Sequence, residues 1–226
     1  MDTKVTDTSN ARTRLSTRMN ERMFYAILDT EFVDANQSFD VCEQLLAGGA
    51  DFIQLRAKQL DSIGRGKIID KIWPLFLKKN SYLIINDDVA TAANYPGVGV
   101  HIGQDDISVE KAREILGNDA LLGLSTHNIE QVRHAIAVKD IIDYFAIGPI
   151  FKTQTKKTGA SIGLKLVEEV YASSPPLPWF CIGGITRANA QSVLNSGAQS
   201  VVAISDVLKS DNISQTVKDF KKILSQ

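Results

Sequence analysis

The chain has 226 residues, 44% hydrophobic and 23% charged, which is typical of a globular protein and excludes a disordered one. Its 25 Lys and Arg nearly balance its 26 Asp and Glu, so no global positive field would hold nucleic acid or an anionic membrane. Cys42 and Cys181 lie far apart in no disulfide or zinc pattern. No run approaches the roughly 20 apolar residues that a membrane span needs. We therefore expect a cytoplasmic protein with neither nucleic-acid nor membrane partners.

Residues 1–22 differ in composition from the rest of the chain. They are rich in Thr, Ser, Asn and Arg and poor in large apolar side chains. Such a segment buries too little apolar surface to offset the entropy lost on ordering. We predict a disordered, flexible N-terminal extension over residues 1–22 and one folded domain over residues 23–226. Translation from Met19 or Met23 is an alternative origin of the folded chain.

From residue 24 onward, short apolar runs alternate with stretches of helical periodicity. The predicted strands are residues 24–28, 51–55, 82–86, 98–102, 120–124, 143–148, 179–183 and 200–204. The predicted helices begin near residues 38, 61, 89, 109, 129, 164, 188 and 214, and Trp73-Pro74 is expected to kink or end the second. The strand runs are nearly continuously apolar, as in parallel strands that are covered on both faces.

The count of these units decides between two α/β architectures. Eight consecutive strand-helix units without residues for a second domain predict a single (β/α)8 barrel, the TIM barrel. An open doubly wound sheet is the alternative. It would use about five or six strands and leave two over.

Polar residues collect where the predicted strands end, which is where such a barrel carries its chemistry. Asp87 and Asp106 follow adjacent strands, and their hard oxygen atoms suit Mg2+. Arg56, Lys58 and Lys156 would converge on the same mouth. Together these groups predict a pocket for a diphosphate. One side chain of the run from Asn86 to Asp88 is also a candidate helix N-cap, a role compatible with a site.

A second anion site is predicted at the barrel mouth. Gly183-Gly184 precedes one helix and Ile204-Ser205 follows the last strand, where barrels bind phosphate through backbone N–H groups and a hydroxyl. The loop over residues 151–162 carries lysines and threonines but no acid, which favours a lid over phosphates. Two anion sites indicate two phosphorylated substrates.

Seven motifs together resemble the thiamine-phosphate synthase family. They are QLRAK (54–58), IINDD (84–88), GVHIGQDD (99–106), GLSTH (123–127), DYFAIGPIFKTQTKK (143–157), CIGGIT (181–186) and VVAIS (201–205). The resemblance begins near residue 24 and reaches the C-terminus. It implies a (β/α)8 barrel that joins 4-amino-2-methyl-5-(diphosphooxymethyl)pyrimidine to a hydroxyethylthiazole phosphate and releases diphosphate.

The resemblance also implies roles for individual residues. The pyrimidine diphosphate would be bound by Gln54, Leu55, Arg56, Ala57, Lys58, Asn86, Ser125 and Lys156. The thiazole phosphate would be bound by Thr153, Gln154, Thr155, Gly184, Ile204 and Ser205. Asp87 and Asp106 would be Mg2+ ligands. Catalytic roles would fall to Arg56, Lys58, Ser125 and Lys156.

Two positions depart from the family pattern. Ala57 stands where the family usually has Glu, and Val98 where it usually has Asp.

Two other functions stay open. One alternative is a thiazole tautomerase that uses His127 as its acid and base. The other is a non-catalytic barrel that binds thiamine precursors. The intact run from Thr153 to Lys156 favours the synthase, and the sequence leaves open whether the chain forms a homo-oligomer.

Overall fold

The computed structural model describes residues 10–77, 79–153 and 161–226. Its strands are β1 (Phe24–Asp29), β2 (Phe52–Arg56), β3 (Tyr82–Asn86), β4 (Gly99–Ile102), β5 (Leu122–Thr126), β6 (Tyr144–Ile147), β7 (Trp179–Cys181) and β8 (Ser200–Ala203). They form a closed barrel in sequence order, in which β1 pairs in parallel with both β2 and β8. The predicted (β/α)8 barrel is confirmed, and the open sheet is excluded.

The helices lie between and around these strands. They are α1 (Ala11–Ser16), α2 (Ser38–Gly48), α3 (Ser62–Phe76), α4 (Val89–Ala92), α5 (Val109–Leu116), α6 (Ile129–Ala137), α7 (Gly163–Ala172), α8 (Ala190–Asn195), α9 (Ser205–Leu208) and α10 (Ile213–Leu224), with a 3-10 turn at Ala35–Gln37. Pro74 lies inside α3, which continues to Phe76, so the helix does not end at the proline. Among the described residues, no helix has both the length and the hydropathy to cross a bilayer.

Two apolar layers hold the barrel together, one on each face of the strands. Because successive strand residues point to opposite faces, the continuous apolar runs fill both layers. The outer layer packs strands such as β2 against the surrounding helices. The inner layer fills the barrel with aromatic rings, among them Tyr25, Phe52, Tyr144 and Phe180. The Tyr25 and Phe52 ring centroids lie 5.1 Å apart.

The N-terminal segment departs from the predicted flexibility over residues 10–22. Its Leu15 is 2% exposed and belongs to the inner layer of the barrel. Arg18 Nη2 lies 2.5 Å from Asp51 Oδ1, and Arg12 Nε lies 2.5 Å from Asp143 Oδ1. Both carboxylates immediately precede a strand, so the segment packs on the N-terminal end of the barrel. The average composition of the segment does not predict this docking, because it depends on a few side chains. The apolar ones pack into the barrel, and the arginines pair with its carboxylates.

Replacing Leu15 by Ala is expected to lower the free energy of unfolding, by up to about 2–5 kcal/mol if the segment stays docked. Since α1 is near the chain end, it can detach locally, and the loss is then limited to the free energy of docking. Urea unfolding of Leu15→Ala beside Met19→Ala measures the effect, because Met19 is 36% exposed. Equal stability of the two variants would show that the segment contributes nothing.

Candidate active site

A pocket opens at the C-terminal end of the barrel strands. Eight of the predicted site residues line it: Gln54, Arg56, Asn86, Ser125, Thr153, Gly184, Ile204 and Ser205. Apolar side chains of the barrel interior, including Ile27, Ala146 and Val202, complete the wall. Closure of the barrel thus brings residues from widely separated parts of the chain to one cavity.

Arg56 is the buried cation of this pocket. It stands at the end of β2, where its Cα pairs in register with that of Asp29 at the end of β1. Its Nη1 lies 2.6 Å from Asp29 Oδ2 and 3.2 Å from Glu31 Oε1. Asp29 is fully buried and also accepts the backbone N–H of Glu31 at 3.0 Å. The guanidinium is therefore held in one place by two carboxylates that sequence reasoning did not single out.

Lys58 and Asp87 form a second charged group beside the first pocket. Lys58 Nζ lies 3.1 Å from Asp87 Oδ2, and both side chains are partly exposed. They line a shallow cavity with Arg65 and Asn86, and Asn86 also lines the main pocket. Asp87 has a φ of 63°, a left-handed conformation that Asp and Asn tolerate better than most residues. This turn sets the Asp87 carboxylate beside Lys58 at the mouth.

Asp88 has a structural role that separates it from its neighbour Asp87. Its carboxylate accepts the backbone N–H of Thr91 at 3.0 Å, which caps α4, and it pairs with Arg65 Nε at 2.7 Å. Burial alone would raise the pKa of Asp88, but the bonds from Thr91 and Arg65 outweigh burial and lower it. The predicted N-cap in this run is confirmed, and Asp87 is left for other chemistry.

Asp106 lies on an exposed turn after β4. Its Oδ2 accepts the backbone N–H of Gly103 at 2.7 Å. Within residues 10–77, 79–153 and 161–226, no group of three or more His, Cys, Asp or Glu side chains could hold a metal. A Mg2+ site built on Asp87 and Asp106 would therefore take its remaining ligands from water and from substrate phosphate, as Mg2+ usually does.

The glycine pair after β7 forms another part of the wall of the main pocket. Gly183 and Gly184 have φ values of 104° and 63°. A Cβ at Gly184 would lie 2.6 Å from the backbone oxygen of Lys152, so this position has no room for a side chain. Both glycines are partly exposed and line the pocket, so their backbone can approach an anion closely. Ser205 stands on the same pocket, so the wall combines a hydroxyl with bare backbone.

Several predicted residues do not reach the pocket with their side chains. Leu55 and Ala57 are buried in the outer layer between strands and helices, at 1% and 3% exposure. Neither side chain lines the main pocket, although Ala57 lines the shallow cavity beside Lys58 and Asp87, and the substrate-binding role of both residues stays a prediction. Gln154, Thr155 and Lys156 lie outside the described residues.

Two further groups bear on the chemistry of the pocket. His127 lines it, with Nδ1 2.6 Å from the backbone oxygen of Gly148. The two cysteines are buried free thiols. Burial raises the pKa of Cys42 to about 12 and that of Cys181 further. Neither thiol is suited to act as a nucleophile.

A (β/α)8 barrel with a buried cation and a glycine wall at its strand ends belongs to the class of barrel enzymes that bind phosphorylated small molecules. The family model for thiamine monophosphate synthase matches residues 24–207. The chain belongs to the thiamine-phosphate synthase family, and its activity is that of a transferase in thiamine biosynthesis.

Curated relatives and solved structures extend this match over nearly the whole chain. The thiamine-phosphate synthase of Halalkalibacterium halodurans is 34% identical over 92% of this chain and 98% of its own length. That of Persephonella marina is 36% identical over 90% of this chain and 98% of its own. Thiamine phosphate pyrophosphorylase from Pyrococcus furiosus superposes with a TM-score of 0.79 at 25% identity and covers 94% of this chain and 98% of its own.

Proposed function

We propose that the chain joins 4-amino-2-methyl-5-(diphosphooxymethyl)pyrimidine to a hydroxyethylthiazole phosphate, or its carboxylated form, and releases diphosphate. One observation carries the proposal beyond family membership: Arg56 and the wall formed by Gly184 and Ser205 line the same pocket. A buried cation together with bare backbone and a hydroxyl on the same pocket suits two anionic groups bound at once.

In the proposed reaction, a C–N bond forms between the thiazole nitrogen and the exocyclic methylene of the pyrimidine. The C–O bond to the diphosphate breaks, and its electron pair leaves with the diphosphate. The aminopyrimidine can delocalise positive charge, so the diphosphate leaves before the thiazole attacks. No protein nucleophile is needed, in keeping with the buried, protonated thiols.

The protein's own contribution would be charge placement and orientation. Arg56, Lys58 and Lys156, which lies in the predicted lid, would neutralise charge that develops on the departing diphosphate. Asn86 and Ser125 would orient the pyrimidine, and holding both substrates in one pocket makes the attack effectively intramolecular.

Asp87 and Asp106 would hold Mg2+. Their carboxylate oxygens are the donor type that Mg2+ prefers, and the backbone N–H of Gly103 orients Asp106. When bound, the ion would supply further positive charge to the diphosphate. Thr153, Gln154 and Thr155 would join Gly184, Ile204 and Ser205 around the thiazole phosphate.

Small phosphorylated molecules are the proposed partners, and the cytoplasm is the proposed location. Both cysteines are free thiols, which agrees with a reducing compartment. Whether copies of the chain associate is a separate question for a sedimentation experiment.

The deciding experiment uses the full chain with both phosphorylated precursors, with and without Mg2+. Thiamine phosphate and diphosphate should form in equal amounts, and only when both precursors and Mg2+ are present. Turnover of the thiazole alone, without diphosphate release, would instead indicate the tautomerase and direct attention to His127. Binding of both precursors without product would indicate a non-catalytic barrel.

A further inference from the structure

A line of hydrogen bonds crosses the barrel interior and links two predicted substrate-binding side chains. Gln54 Nε2 donates to Tyr25 Oη at 2.6 Å, and Tyr25 Oη lies 3.1 Å from Tyr144 Oη. Tyr144 Oη lies 3.2 Å from His101 Nδ1, and His101 Nε2 lies 2.9 Å from Ser125 Oγ. Gln54 and Ser125 stand on the same pocket, so both ends of this interior line face one ligand.

The middle of the interior line is buried, although Tyr25 and His101 also line the base of the pocket. Tyr25 is 1% exposed, Tyr144 is fully buried and His101 is 8% exposed. Burial raises the pKa of both tyrosines above the usual range, so each hydroxyl carries its single hydrogen at neutral pH. Hydrogen bonds in such surroundings have a definite donor and acceptor, because an unmatched buried group costs about 1–3 kcal/mol.

The hydrogen bond at Gln54 determines which group donates and which accepts in every other hydrogen bond of the interior line. Tyr25 accepts from the Gln54 amide and therefore has its own hydrogen for Tyr144. Tyr144 in turn has its hydrogen for His101 Nδ1, which places the imidazole proton on Nε2. That proton is donated to Ser125 Oγ, so the hydrogen of Ser125 points away from His101. Gln54 thus presents its carbonyl oxygen to the pocket, and Ser125 presents its hydrogen.

We propose that Tyr25, Tyr144 and His101 are positioning residues that fix Gln54 as an acceptor and Ser125 as a donor. A 4-aminopyrimidine offers the complementary edge, with an amino donor beside a ring-nitrogen acceptor. Its 4-oxo counterpart offers the reverse, a carbonyl acceptor beside an N–H donor. The interior line therefore selects the amino form. The identity of this ligand rests on the proposed function, whereas the direction of the line does not.

Gly123 supports the functional importance of the central link. It lies on β5, where a Cβ would overlap the Tyr144 ring and lie 2.5 Å from His101 Nδ1. The Tyr144 and His101 rings stack with centroids 5.5 Å apart in the space that this glycine leaves. Any larger residue at position 123 would push the two rings apart, so the absent side chain is what permits the link.

The test compares the amino and oxo forms of the pyrimidine diphosphate in kcat/KM. The wild type should prefer the amino form by a factor of at least about 10², because the oxo form leaves both polar ends mismatched. Tyr144→Phe keeps the ring but removes the central hydroxyl. It should reduce this preference at least about tenfold, the worth of one buried hydrogen bond. Gly123→Ala should have the same effect, although Gln54 and Ser125 themselves are not substituted.

Tyr82→Phe is the matched control. Tyr82 is a buried tyrosine of the same inner layer, and its hydroxyl takes no part in the interior line. The Tyr82 hydroxyl is buried without a hydrogen-bond partner among the described residues, so Tyr82→Phe reports the packing effect of losing a buried hydroxyl, and the proposal predicts unchanged preference in it. Unchanged preference in Tyr144→Phe, or an equal effect in Tyr82→Phe, would overturn it.

A binding measurement tests the interior line independently of the proposed reaction. Titration calorimetry with 4-amino-2-methylpyrimidine and its 4-oxo analogue reads the same preference without turnover. If the wild type forms no thiamine phosphate but still prefers the amino ring through Tyr144, the interior line is upheld and the reaction is wrong. If it makes thiamine phosphate but binds both rings equally, the interior line is wrong and the reaction stands.

Discussion

Replacing Arg56 by Gln is expected to lower turnover by about 10²–10³-fold, the usual effect of removing a group that stabilises transition-state charge. Arg56 is the pocket cation fixed between Asp29 and Glu31, so it is oriented before any diphosphate arrives. The same change should also destabilise the fold by about 3–5 kcal/mol, because the buried carboxylate of Asp29 loses its partner. Steady-state kinetics with both precursors and urea unfolding measure the two effects.

A double variant separates the catalytic effect from the structural one. Asp29→Asn removes the buried charge but keeps the oxygen that accepts the backbone N–H of Glu31. Combined with Arg56→Gln, it should recover much of the lost stability, since no unpaired charge is left in the barrel. Activity should stay low, because the diphosphate still lacks its cation. Recovery of both properties would contradict the assignment of Arg56 to the diphosphate.

The barrel itself was predictable because eight apolar runs with helical stretches between them leave few other arrangements. The strand ends were less predictable where polar residues continue a strand. β5 ends at Thr126 rather than 124 because Ser125 and Thr126 extend it into the pocket. β7 ends at Cys181 rather than 183 because Gly183 and Gly184 take up positive φ values that stop the ladder.

The site was predictable wherever a polar residue follows an apolar run. The same rule fails for Tyr25 and Tyr144. Both lie within apolar runs and are therefore predicted to be core residues, yet their hydroxyls link Gln54 to His101. Their partners come from β2 and β4, and only closure of the barrel decides which side chains meet inside it. Asp29 directly follows the first apolar run, so the same rule also marks it as a candidate site residue.

Replacing Asp87 by Asn is expected to lower Mg2+-dependent turnover by about 10²–10³-fold and to shift the Mg2+ requirement to higher concentrations. The reason is that Asp87, the proposed Mg2+ ligand at the pocket mouth, would lose its charge. Asn tolerates the left-handed backbone at this position, so the fold should be kept where Ala would add strain. Turnover measured across a range of Mg2+ concentrations, together with thermal unfolding, checks both expectations.

Asp88→Asn is the control, because it removes an equal charge one residue away. Asn keeps an oxygen for the N–H of Thr91 and caps a helix about as well as Asp. The partly buried ion pair with Arg65 and the hydrogen bond from the Thr91 hydroxyl to the same oxygen are the interactions at stake, so stability should fall by about 1–2 kcal/mol. Its Mg2+ requirement should match the wild type. If Asp88→Asn shifted that requirement as far as Asp87→Asn, the effect would reflect general negative charge at the mouth rather than a ligand at Asp87.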